Sequence, residues 1–366
     1  MPSIAQLPDN DISSSLQKSI QNAITEKSSV YIHGGNSKLF YGNIVDAPAL
    51  DVSQHTGIID YDPTELCITV RAGTLLSDIE KTLAAENQIL PFEPPQYTSK
   101  ATIGGAIAAG ISGPRRAYSG SIRDAILGVK IINGHGEIVT FGGQVMKNVA
   151  GYDLSRMMVR SQGTLGVILE VSIRLLPKPK NEITICLEGS QSFAIDFFQA
   201  SRTKQMPITA SAWCNEQTFL RLSGSEKVLA DQLKKLIKEN KASPVKDPKN
   251  FWNDIRDHKH PFFETTSKSL WRWSLPPASE ELVQMNDNQL IEWGGAQRWI
   301  TTNSPANLIH NSANSRKGYA TLFKGGLPET PSFHKLDDNL MKLHKQLKHN
   351  MDPHGIFNPG RMYSGL

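Results

Sequence analysis

The sequence predicts an α+β protein of two domains, on three observations. Strand and amphipathic helix patterns alternate through the first 180 residues, a Pro-Lys-Pro-Lys run at residues 177–180 interrupts regular structure, and strand and helix patterns then resume. A chain of 366 residues is long enough for two domains of ordinary size. We therefore predict one domain over residues 1–179 and a second over residues 180–366.

The first domain begins with mixed helix and strand patterns. Residues 13–27 have the apolar spacing of an amphipathic helix, and residues 30–32 form a short apolar strand pattern that ends near two glycines. Residues 65–72 alternate in the manner of a strand. Thr74 is the predicted N-cap of a helix that runs through residue 85, because a threonine hydroxyl can accept from the first backbone N–H groups of a helix.

The rest of the first domain is predicted to be mostly β-structure. The prolines of residues 91–95 predict an irregular loop, because proline cannot continue a helix or a central strand. Residues 125–133 and 137–141 read as two strands, and the Gly-His-Gly between them indicates a hairpin. Residues 165–176 predict another long strand.

The second domain has an α+β pattern of its own. Residues 183–187 and 218–222 predict strands, and residues 193–203 and 226–241 predict helices. Residues 336–349 predict a late amphipathic helix, which an Asp-Pro pair ends.

Composition indicates a globular protein of the cytoplasm. Hydrophobic residues make up 39% of the chain and charged residues 20%. The N-terminus lacks the pattern of a signal peptide, and no apolar run reaches the roughly 18 residues that span a bilayer. Cys67, Cys186 and Cys214 are far apart, so they predict no zinc site and no iron–sulfur cluster, and three scattered thiols fit a reducing compartment.

Charge and glycine are concentrated in residues 101–180. This segment carries 10 lysines and arginines against 4 acidic residues, and it holds 13 of the 28 glycines. Such a segment indicates a backbone that closely approaches an anion such as a phosphate, although a turn-rich β region with a solvated basic face explains the same composition. The basic residues do not alternate with a series of stacking aromatics, so we predict no nucleic-acid binding.

The first candidate site directly follows the predicted strand of residues 30–32. Two glycines and small polar residues would let successive backbone N–H groups converge on an anion, and a lysine could add charge. An ordinary turn explains the same residues, and the glycine spacing matches neither the dinucleotide fingerprint nor a P-loop. The loop consists of His33, Gly34, Gly35, Asn36, Ser37 and Lys38.

Three further segments are candidates. In residues 94–110, the small side chains would let the start of a short helix pack closely against a flat ligand. The N–H groups of Gly104 and Gly105 would then be free to donate to it. The alternative is that these small residues only let two helices pack closely together. Residues 115–124 concentrate three arginines, which a solvated basic loop also explains. Residues 147–154 are followed by residues 163–168, where a glycine pair before a strand exposes backbone to whatever lies beside it.

Taken in order, these segments resemble the FAD-binding domain of the vanillyl-alcohol-oxidase family, also called PCMH-type flavoproteins. The resemblance covers about residues 10–180 and is most specific at residues 101–105 and 163–166. Residues 147–154 are similar to the 2-hydroxyacid dehydrogenase branch. Residues 352–361 are similar to the end of the FAD-binding subunits of bacterial glycolate oxidases. The resemblance implies a PCMH-type FAD-binding domain of two subdomains, followed by a smaller α+β cap domain of the FAD-linked-oxidase type.

The resemblance also implies which residues bind FAD. Loop 33–38 matches the family's first pyrophosphate loop, and Asn358 lies where the C-terminal tail returns towards the flavin. Between them, the first matching segment lies along the flavin and the pyrophosphate. The next forms the turn that follows, and the last lies near the adenine end. Their implied FAD-binding residues are Pro95, Thr98, Thr102, Ile103, Gly104, Gly105, Gly120, Ser121, Asp124, Gly163, Gly166 and Ile168.

Two departures from the family pattern change what we expect. His33 replaces a glycine of the family's Arg-Gly-Gly-Gly loop, and Asn36 occupies the place of the histidine that links flavin covalently, so FAD is expected to be non-covalent. The second half lacks the histidines of the catalytic 2-hydroxyacid dehydrogenases. Its one close pair, His258 and His260, is expected to lie on a solvated loop rather than to bind a metal.

Oxidation of a 2-hydroxyacid needs a base for the hydroxyl proton and a cation for the carboxylate. Arg272, between two tryptophans, could bind a carboxylate with both guanidinium nitrogens, but a structural arginine in an aromatic cluster is the stronger interpretation. No residue of the sequence stands out as the base. A subunit that binds FAD and passes electrons to a partner therefore fits better than a free-standing enzyme.

The leading hypothesis is an FAD-binding subunit of an oxidoreductase complex that oxidises a small 2-hydroxyacid, glycolate, to glyoxylate. The resemblance implies a larger FAD-linked flavoprotein subunit and an iron–sulfur subunit as partners, with membrane contact only indirect through the complex. An autonomous FAD-dependent 2-hydroxyacid dehydrogenase is one alternative. A non-catalytic assembly subunit with a vestigial flavin site is another.

Overall fold

The structure is a computed structural model that describes residues 9–143, 154–264, 267–282, 288–326 and 330–366. The chain forms two compact units. Unit 1 comprises Met1–Ser112, Ser121–Lys178 and Lys335–Leu366, and unit 2 comprises Gly113–Gly120 and Pro179–His334. The candidate residues 147–153 lie outside the described residues. The boundary between residues 179 and 180 stays a prediction.

The described helices differ widely in length. In chain order they are α1 (Ser13–Glu26), α2 (Leu76–Ala85), α3 (Ile103–Ala109), α4 (Arg116–Ser119), α5 (Ile122–Ala125), α6 (Gln191–Thr203), α7 (Glu226–Asn240), α8 (Pro248–Arg256), α9 (Ala306–Ser315) and α10 (Asp338–Met351).

The described strands fall before and after residue 180 in similar number. In chain order they are β1 (Tyr31–His33), β2 (Ala49–Asp51), β3 (Ile58–Asp62), β4 (Cys67–Arg71), β5 (Gln88–Ile89), β6 (Ile126–Ile132), β7 (Ile138–Gly142), β8 (Val167–Arg174), β9 (Leu176–Pro177), β10 (Glu182–Glu188), β11 (Ile208–Cys214), β12 (Gln217–Ser223), β13 (Ser243–Pro244), β14 (Ser269–Ser274), β15 (Gln289–Glu292), β16 (Gln297–Thr302) and β17 (Tyr319–Lys324).

Unit 1 is built on an antiparallel sheet in the order β3-β4-β8-β6-β7, with β1 and β2 as a separate parallel pair. Its core joins this sheet to α1, α2 and α3. The C-terminal tail also enters this core, because Phe357 is fully buried there and pairs in parallel with Val30 before β1. The last residues of the chain thus complete the first unit.

Unit 2 contains a larger antiparallel sheet, in the order β13-β10-β12-β11-β15-β16-β14-β17 among the described residues. One core cluster packs α6 and α7 against its first strands, and a second packs α9 against its last strands. Strands that are distant in sequence are neighbours here, since β11 pairs with β15 and β14 with both β16 and β17.

The α+β class is confirmed, and most predicted elements are present within two or three residues of their expected ends. The predicted hairpin is confirmed as β6 and β7, in which Ile132 pairs with Ile138. The predicted N-cap is wrong: α2 begins after Leu75, because the Thr74 hydroxyl donates to the Gly57 carbonyl and accepts from the Gly57 N–H. No helix among the described residues is long and apolar enough to cross a membrane.

Candidate functional site

Unit 1 contains a cavity that is partly open to solvent. Backbone and small side chains from four separated segments form its wall. The lining residues are Tyr31, Ile32, His33, Gly34, Gly35, Asn36, Ser37, Lys38, Leu39, Val52, Ala72, Thr102, Gly104, Gly105, Ala108, Ala109, Gln162, Gly163, Gly166, Ile168, Asn358 and Arg361.

The loop after β1 forms one wall of the cavity, and its two glycines are required by close packing. A Cβ atom on Gly35 would overlap the Lys100 carbonyl oxygen, and one on Gly34 would lie 2.6 Å from Thr102 Oγ1. The loop therefore lies directly on the segment that enters α3. At its far end the buried Lys38 Nζ donates to Ser37 Oγ at 3.3 Å and lies 5.7 Å from the centre of the Tyr97 ring.

The start of α3 forms a second wall, although its amide groups are already used. Thr102 is the N-cap of α3, and its hydroxyl accepts from the Gly105 N–H. The Gly104 N–H donates to the Ala72 carbonyl at 2.8 Å. The prediction that these two N–H groups are free to donate to a ligand is therefore wrong. Gly104 instead serves close packing, because a Cβ atom there would lie 2.6 Å from the Ala72 Cβ.

The segment before β8 forms a third wall. Gly163 has φ +74° and a Cβ atom there would lie 2.5 Å from Asn358 Nδ2, so both the conformation and the space favour glycine. Beside it, Gln162 is one of the lining residues and is only 8% exposed. Its Nε2 has no hydrogen-bond partner among the described residues. A buried donor without a partner is costly to the stability of the fold.

The C-terminal tail closes the site through hydrogen bonds to both glycine loops. Asn358 Oδ1 accepts from the Ile32 N–H at 2.7 Å, and its Nδ2 donates to the Gln162 carbonyl at 2.6 Å. Arg361 donates to the backbone carbonyls of Asn43 and Tyr41 at 2.6 and 2.7 Å. One short turn thus fixes the positions of loops that are about 130 residues apart in the sequence.

A buried ion pair holds this turn in place. Lys348 Nζ on α10 lies 2.6 Å from the Asp352 carboxylate and also donates to the carbonyls of Thr164 and Phe357. The same carboxylate accepts from the N–H groups of Ile356 and Phe357. Burial lowers the pKa of Lys348, and the Asp352 charge opposes that effect. Every ammonium proton of Lys348 therefore has an acceptor, which compensates for its burial.

The cavity is electrostatically suited to an anion. Lys38 and Arg361 line it, and none of the lining residues is acidic. Burial lowers the pKa of Arg361, because its guanidinium has lost contact with water. A bound anion would stabilise the positive charge of this guanidinium. Burial also raises the pKa of Tyr31, so this phenol stays protonated at neutral pH.

The comparisons with known proteins agree with this geometry. The family model of the FAD binding domain matches residues 13–142. The chain is 42% identical over 360 residues to glycolate oxidase subunit GlcE of Escherichia coli (strain K12), which covers 98% of this chain and 100% of that protein. The chain belongs to the GlcE family. It is therefore an oxidoreductase subunit with an FAD-binding domain of the flavoprotein type.

Other similar proteins match over shorter stretches. Glycolate oxidase subunit GlcD of Bacillus subtilis (strain 168) is 34% identical over 128 residues, which is 35% of this chain and 27% of that protein. Among solved structures, p-cresol methylhydroxylase with bound substrate gives a TM-score of 0.74 at 13% identity, covering 96% of this chain and 87% of that one. An alkyldihydroxyacetonephosphate synthase gives 0.66 at 12% identity, with 96% and 76% covered. These two structures support the predicted PCMH-type fold.

In this GlcE-family chain, the cavity brings together most of the site residues predicted from the sequence. Those that line it are His33, Gly34, Gly35, Asn36, Ser37, Lys38, Thr102, Gly104, Gly105, Gly163, Gly166, Ile168 and Asn358. Six others do not line it: Pro95 and Ile103 are buried, Thr98 is exposed, Ser121 and Asp124 form a capping box at α5, and Gly120 belongs to unit 2.

Nine lining residues were not among the predicted FAD-binding residues, although Ala108 and Ala109 lie in the candidate segment 94–110 and Arg361 ends the tail motif 352–361. They are Tyr31, Ile32, Leu39, Val52, Ala72, Ala108, Ala109, Gln162 and Arg361. Tyr31, Ile32 and Leu39 directly adjoin the predicted loop, so chain proximity alone could have found them. Gln162 adjoins a motif that was recognised and Arg361 ends another, but their place in the cavity wall depends on the fold.

Unit 2 of the GlcE-family chain places Arg272 in a structural network. Its Nε donates to Gln297 Oε1 at 2.7 Å, and its guanidinium lies 5.3 Å from the centre of the Trp293 ring. The Gln297 amide in turn donates to the buried Glu292 carboxylate, which also accepts from the Trp299 indole. This arrangement favours the structural interpretation of Arg272 over carboxylate binding.

The histidine pair of unit 2 departs from its prediction. The His258 ring stacks on Phe263 with ring centres 4.0 Å apart and meets Trp299 edge to face. Burial lowers its pKa to about 3, so the prediction of a solvated pair is wrong for this residue. No group of three or more metal-binding side chains is present among the described residues.

Proposed function

We propose that the chain is the FAD-binding subunit of a glycolate oxidase complex and holds FAD non-covalently while glycolate is oxidised to glyoxylate. The observation that carries the proposal is the match to GlcE over the whole chain. The cavity of unit 1 supports it further, because Lys38 and Arg361 give its lining a positive charge that suits the pyrophosphate of FAD.

The residues of the cavity divide by their chemistry. Loop 33–38 and Arg361 offer backbone N–H groups and positive charge for the pyrophosphate. The apolar Val52, Ala72, Ala108 and Ile168 offer surface for the planar rings. When bound, FAD supplies the hydride-accepting ring of the reaction. The six predicted residues that do not line the cavity stay predictions.

The character of Asn36 supports non-covalent attachment. Its amide accepts from the Tyr31 hydroxyl at 3.2 Å and is exposed, and an amide is not a nucleophile that could attach a flavin ring. We therefore expect acid precipitation to release all bound FAD.

We further propose a larger FAD-linked subunit and an iron–sulfur subunit as partners. The similarity to GlcD, itself named a glycolate oxidase subunit, supports the first. The thiols of this chain support the iron–sulfur subunit. Cys67 and Cys214 are buried, and burial raises the pKa of Cys214 to about 12. The three cysteines also lie apart in sequence. One-electron transfer would therefore depend on a cluster in another subunit. Membrane contact would be indirect, through these partners.

The test compares the chain alone with the chain co-purified from its native host. We expect glycolate to bleach the flavin absorbance near ~450 nm in the co-purified complex but not in the isolated, FAD-loaded chain. Mass spectrometry of the complex should identify a second flavoprotein and an iron–sulfur protein. Rapid bleaching of the isolated chain would instead support the autonomous dehydrogenase. A co-purified complex that does not respond to glycolate would contradict the proposed substrate.

A further inference from the structure

Two histidines of unit 2 form a hydrogen-bonded pair that the proposed function does not use. His310 lies on α9, and His334 lies in the segment that follows β17 along the chain. Their Nδ1 atoms are 2.9 Å apart, and the two rings meet edge to face with centres 4.6 Å apart. Trp271 of β14 packs edge to face against His310 from another side. The pair thus joins the segment around His334 to α9.

This segment covers an edge of the larger sheet. Strand β17 is the last strand of that sheet among the described residues. Its Leu322 N–H donates to the Ser332 carbonyl at 2.9 Å, and the neighbouring Phe333 is only 4% exposed. An uncovered strand edge can pair with another chain, so proteins usually protect such edges. Segment 331–334 protects β17, and the hydrogen bond of His334 fastens the end of that segment.

The number of protons on the two rings decides whether this hydrogen bond can form. At 2.9 Å, one Nδ1 atom has to donate and the other has to accept. The neutral pair meets this condition, and so does a pair with one added proton, because one Nδ1 atom can still accept. With two added protons, both Nδ1 atoms are donors, so the hydrogen bond is lost and two positive charges repel each other.

The surroundings of the pair do not favour the second proton. Burial lowers the pKa of both rings, and the charge of His334 lowers that of His310 further. His310 is the single titratable side chain within α9. The charged residues on or directly after the other elements near the pair are Arg272, Arg316, Lys324, Lys335 and Asp337. Four of them are cations, and the carboxylate of the fifth caps α10 by accepting from the Leu340 N–H.

We propose that His310 and His334 form an acid-sensitive latch, which holds segment 331–334 over β17 at neutral pH and releases it when both rings are protonated. Release uncovers the Leu322 N–H and leaves this edge of the sheet unpaired. The released rings titrate near the usual pKa of 6.5, and the latched rings have a lower pKa, so the open state binds more protons. The latch therefore weakens as the pH falls below about 6.5.

The test follows hydrogen exchange of the Leu322 amide in the full chain at pH 7 and pH 5. His334→Asn is the decisive variant, because an asparagine amide does not titrate and can pair with His310 in either protonation state. At pH 5 we expect the Leu322 amide to exchange about tenfold faster in the wild type than in His334→Asn. At pH 7 the two proteins should exchange at the same rate.

Two further variants frame this comparison. His344→Asn is the matched control, because His344 also meets an aromatic ring, that of Tyr363, but its Nδ1 bonds to the Leu340 carbonyl of its own helix. This control should exchange like the wild type at both pH values. His334→Ala removes the latch at any pH, so its Leu322 amide should exchange faster already at pH 7.

Exchange in β12 separates the latch from a general loss of stability. Protonation of the buried His258 destabilises unit 2 in every one of these proteins, so β12 should exchange equally in the wild type and in His334→Asn. Faster exchange of both β12 and Leu322 in the wild type would show that the pair supports the whole unit, which would overturn the latch. Equal exchange of Leu322 in the two proteins at pH 5, or an unchanged rate in His334→Ala at pH 7, would overturn it as well.

Discussion

The two units use buried polar groups in different ways. In unit 2, the Glu292 carboxylate accepts from Gln297 and Trp299, and Gln297 in turn accepts from Arg272, so these groups satisfy one another. In unit 1, the Asn358 side chain links two loops that line the cavity. The closed network of unit 2 contributes to the stability and specificity of the fold, whereas the Asn358 hydrogen bonds in unit 1 position the loops of a candidate binding site.

Tryptophan allows the two units to be observed separately. All 6 tryptophans of the chain, at positions 213, 252, 271, 273, 293 and 299, belong to unit 2. Intrinsic fluorescence therefore reports on unit 2, and bound flavin would report on unit 1. The predictions below use this difference, in order of decreasing expected effect.

The largest effect is expected at the first glycine loop of unit 1. Gly35→Ala places a methyl group on the Lys100 carbonyl, so the loop must move away and FAD affinity should fall more than a hundredfold. Gly143→Ala is the control, because a Cβ atom there would have no neighbour within 4 Å. Flavin content per purified chain measures both. Normal flavin content in Gly35→Ala would remove this loop from the site.

The ion pair beneath the C-terminal turn should have the next largest effect. Lys348→Met leaves the fully buried Asp352 carboxylate without its cation, and we expect the free energy of unfolding to fall by about 3–5 kcal/mol. Lys130→Met is the control: its partner is Glu170, both side chains are partly exposed, and about 1 kcal/mol or less is expected. Urea unfolding followed by circular dichroism measures both values. Equal losses would show that the buried pair does not hold the turn.

Acid should destabilise unit 2 through His258. Its folded pKa of about 3 lies below the usual value near 6.5, so between these values the unfolded chain binds a proton that the folded chain does not. Stability therefore falls as the pH falls, by about 2 kcal/mol between pH 7 and pH 5. His258→Phe keeps a ring against Phe263 and should remove this part of the loss, as followed by tryptophan fluorescence. An unchanged pH dependence in the variant would contradict the buried, neutral histidine.

The sequence predicted the cavity better than it predicted unit 2, for a physical reason. The loop of residues 33–38 is contiguous, and close packing demands glycine there, so a local motif carries the signal. Strand β16 was not recognised because all of its residues are buried, including Gln297, Arg298 and Thr301. Its polar residues have partners inside the fold, such as Arg272 for Gln297 and the Glu280 carbonyl for Arg298, so the alternation that marks a half-buried strand is absent.

Two details of unit 1 also required the fold. The amides of Gly104 and Gly105 are taken by Ala72 and by the helix's own N-cap, and no spacing in the sequence shows that competition. Gln162 is found among the lining residues only in the folded chain, where its backbone is hydrogen-bonded to Ala108 and Asn358. Local motifs thus predict where a backbone approaches a ligand, whereas a single polar side chain in the wall is found only from the assembled structure.

The central claim is that unit 1 holds FAD and that no covalent bond retains it. The most direct measurement is the flavin released by acid precipitation of the purified, FAD-loaded chain, identified by chromatography and counted per chain. We predict about one FAD per chain in the supernatant and none in the pellet, since Asn36 offers no nucleophile for attachment. Flavin that stays with the precipitated protein, or a folded chain that takes up no FAD, would contradict the account.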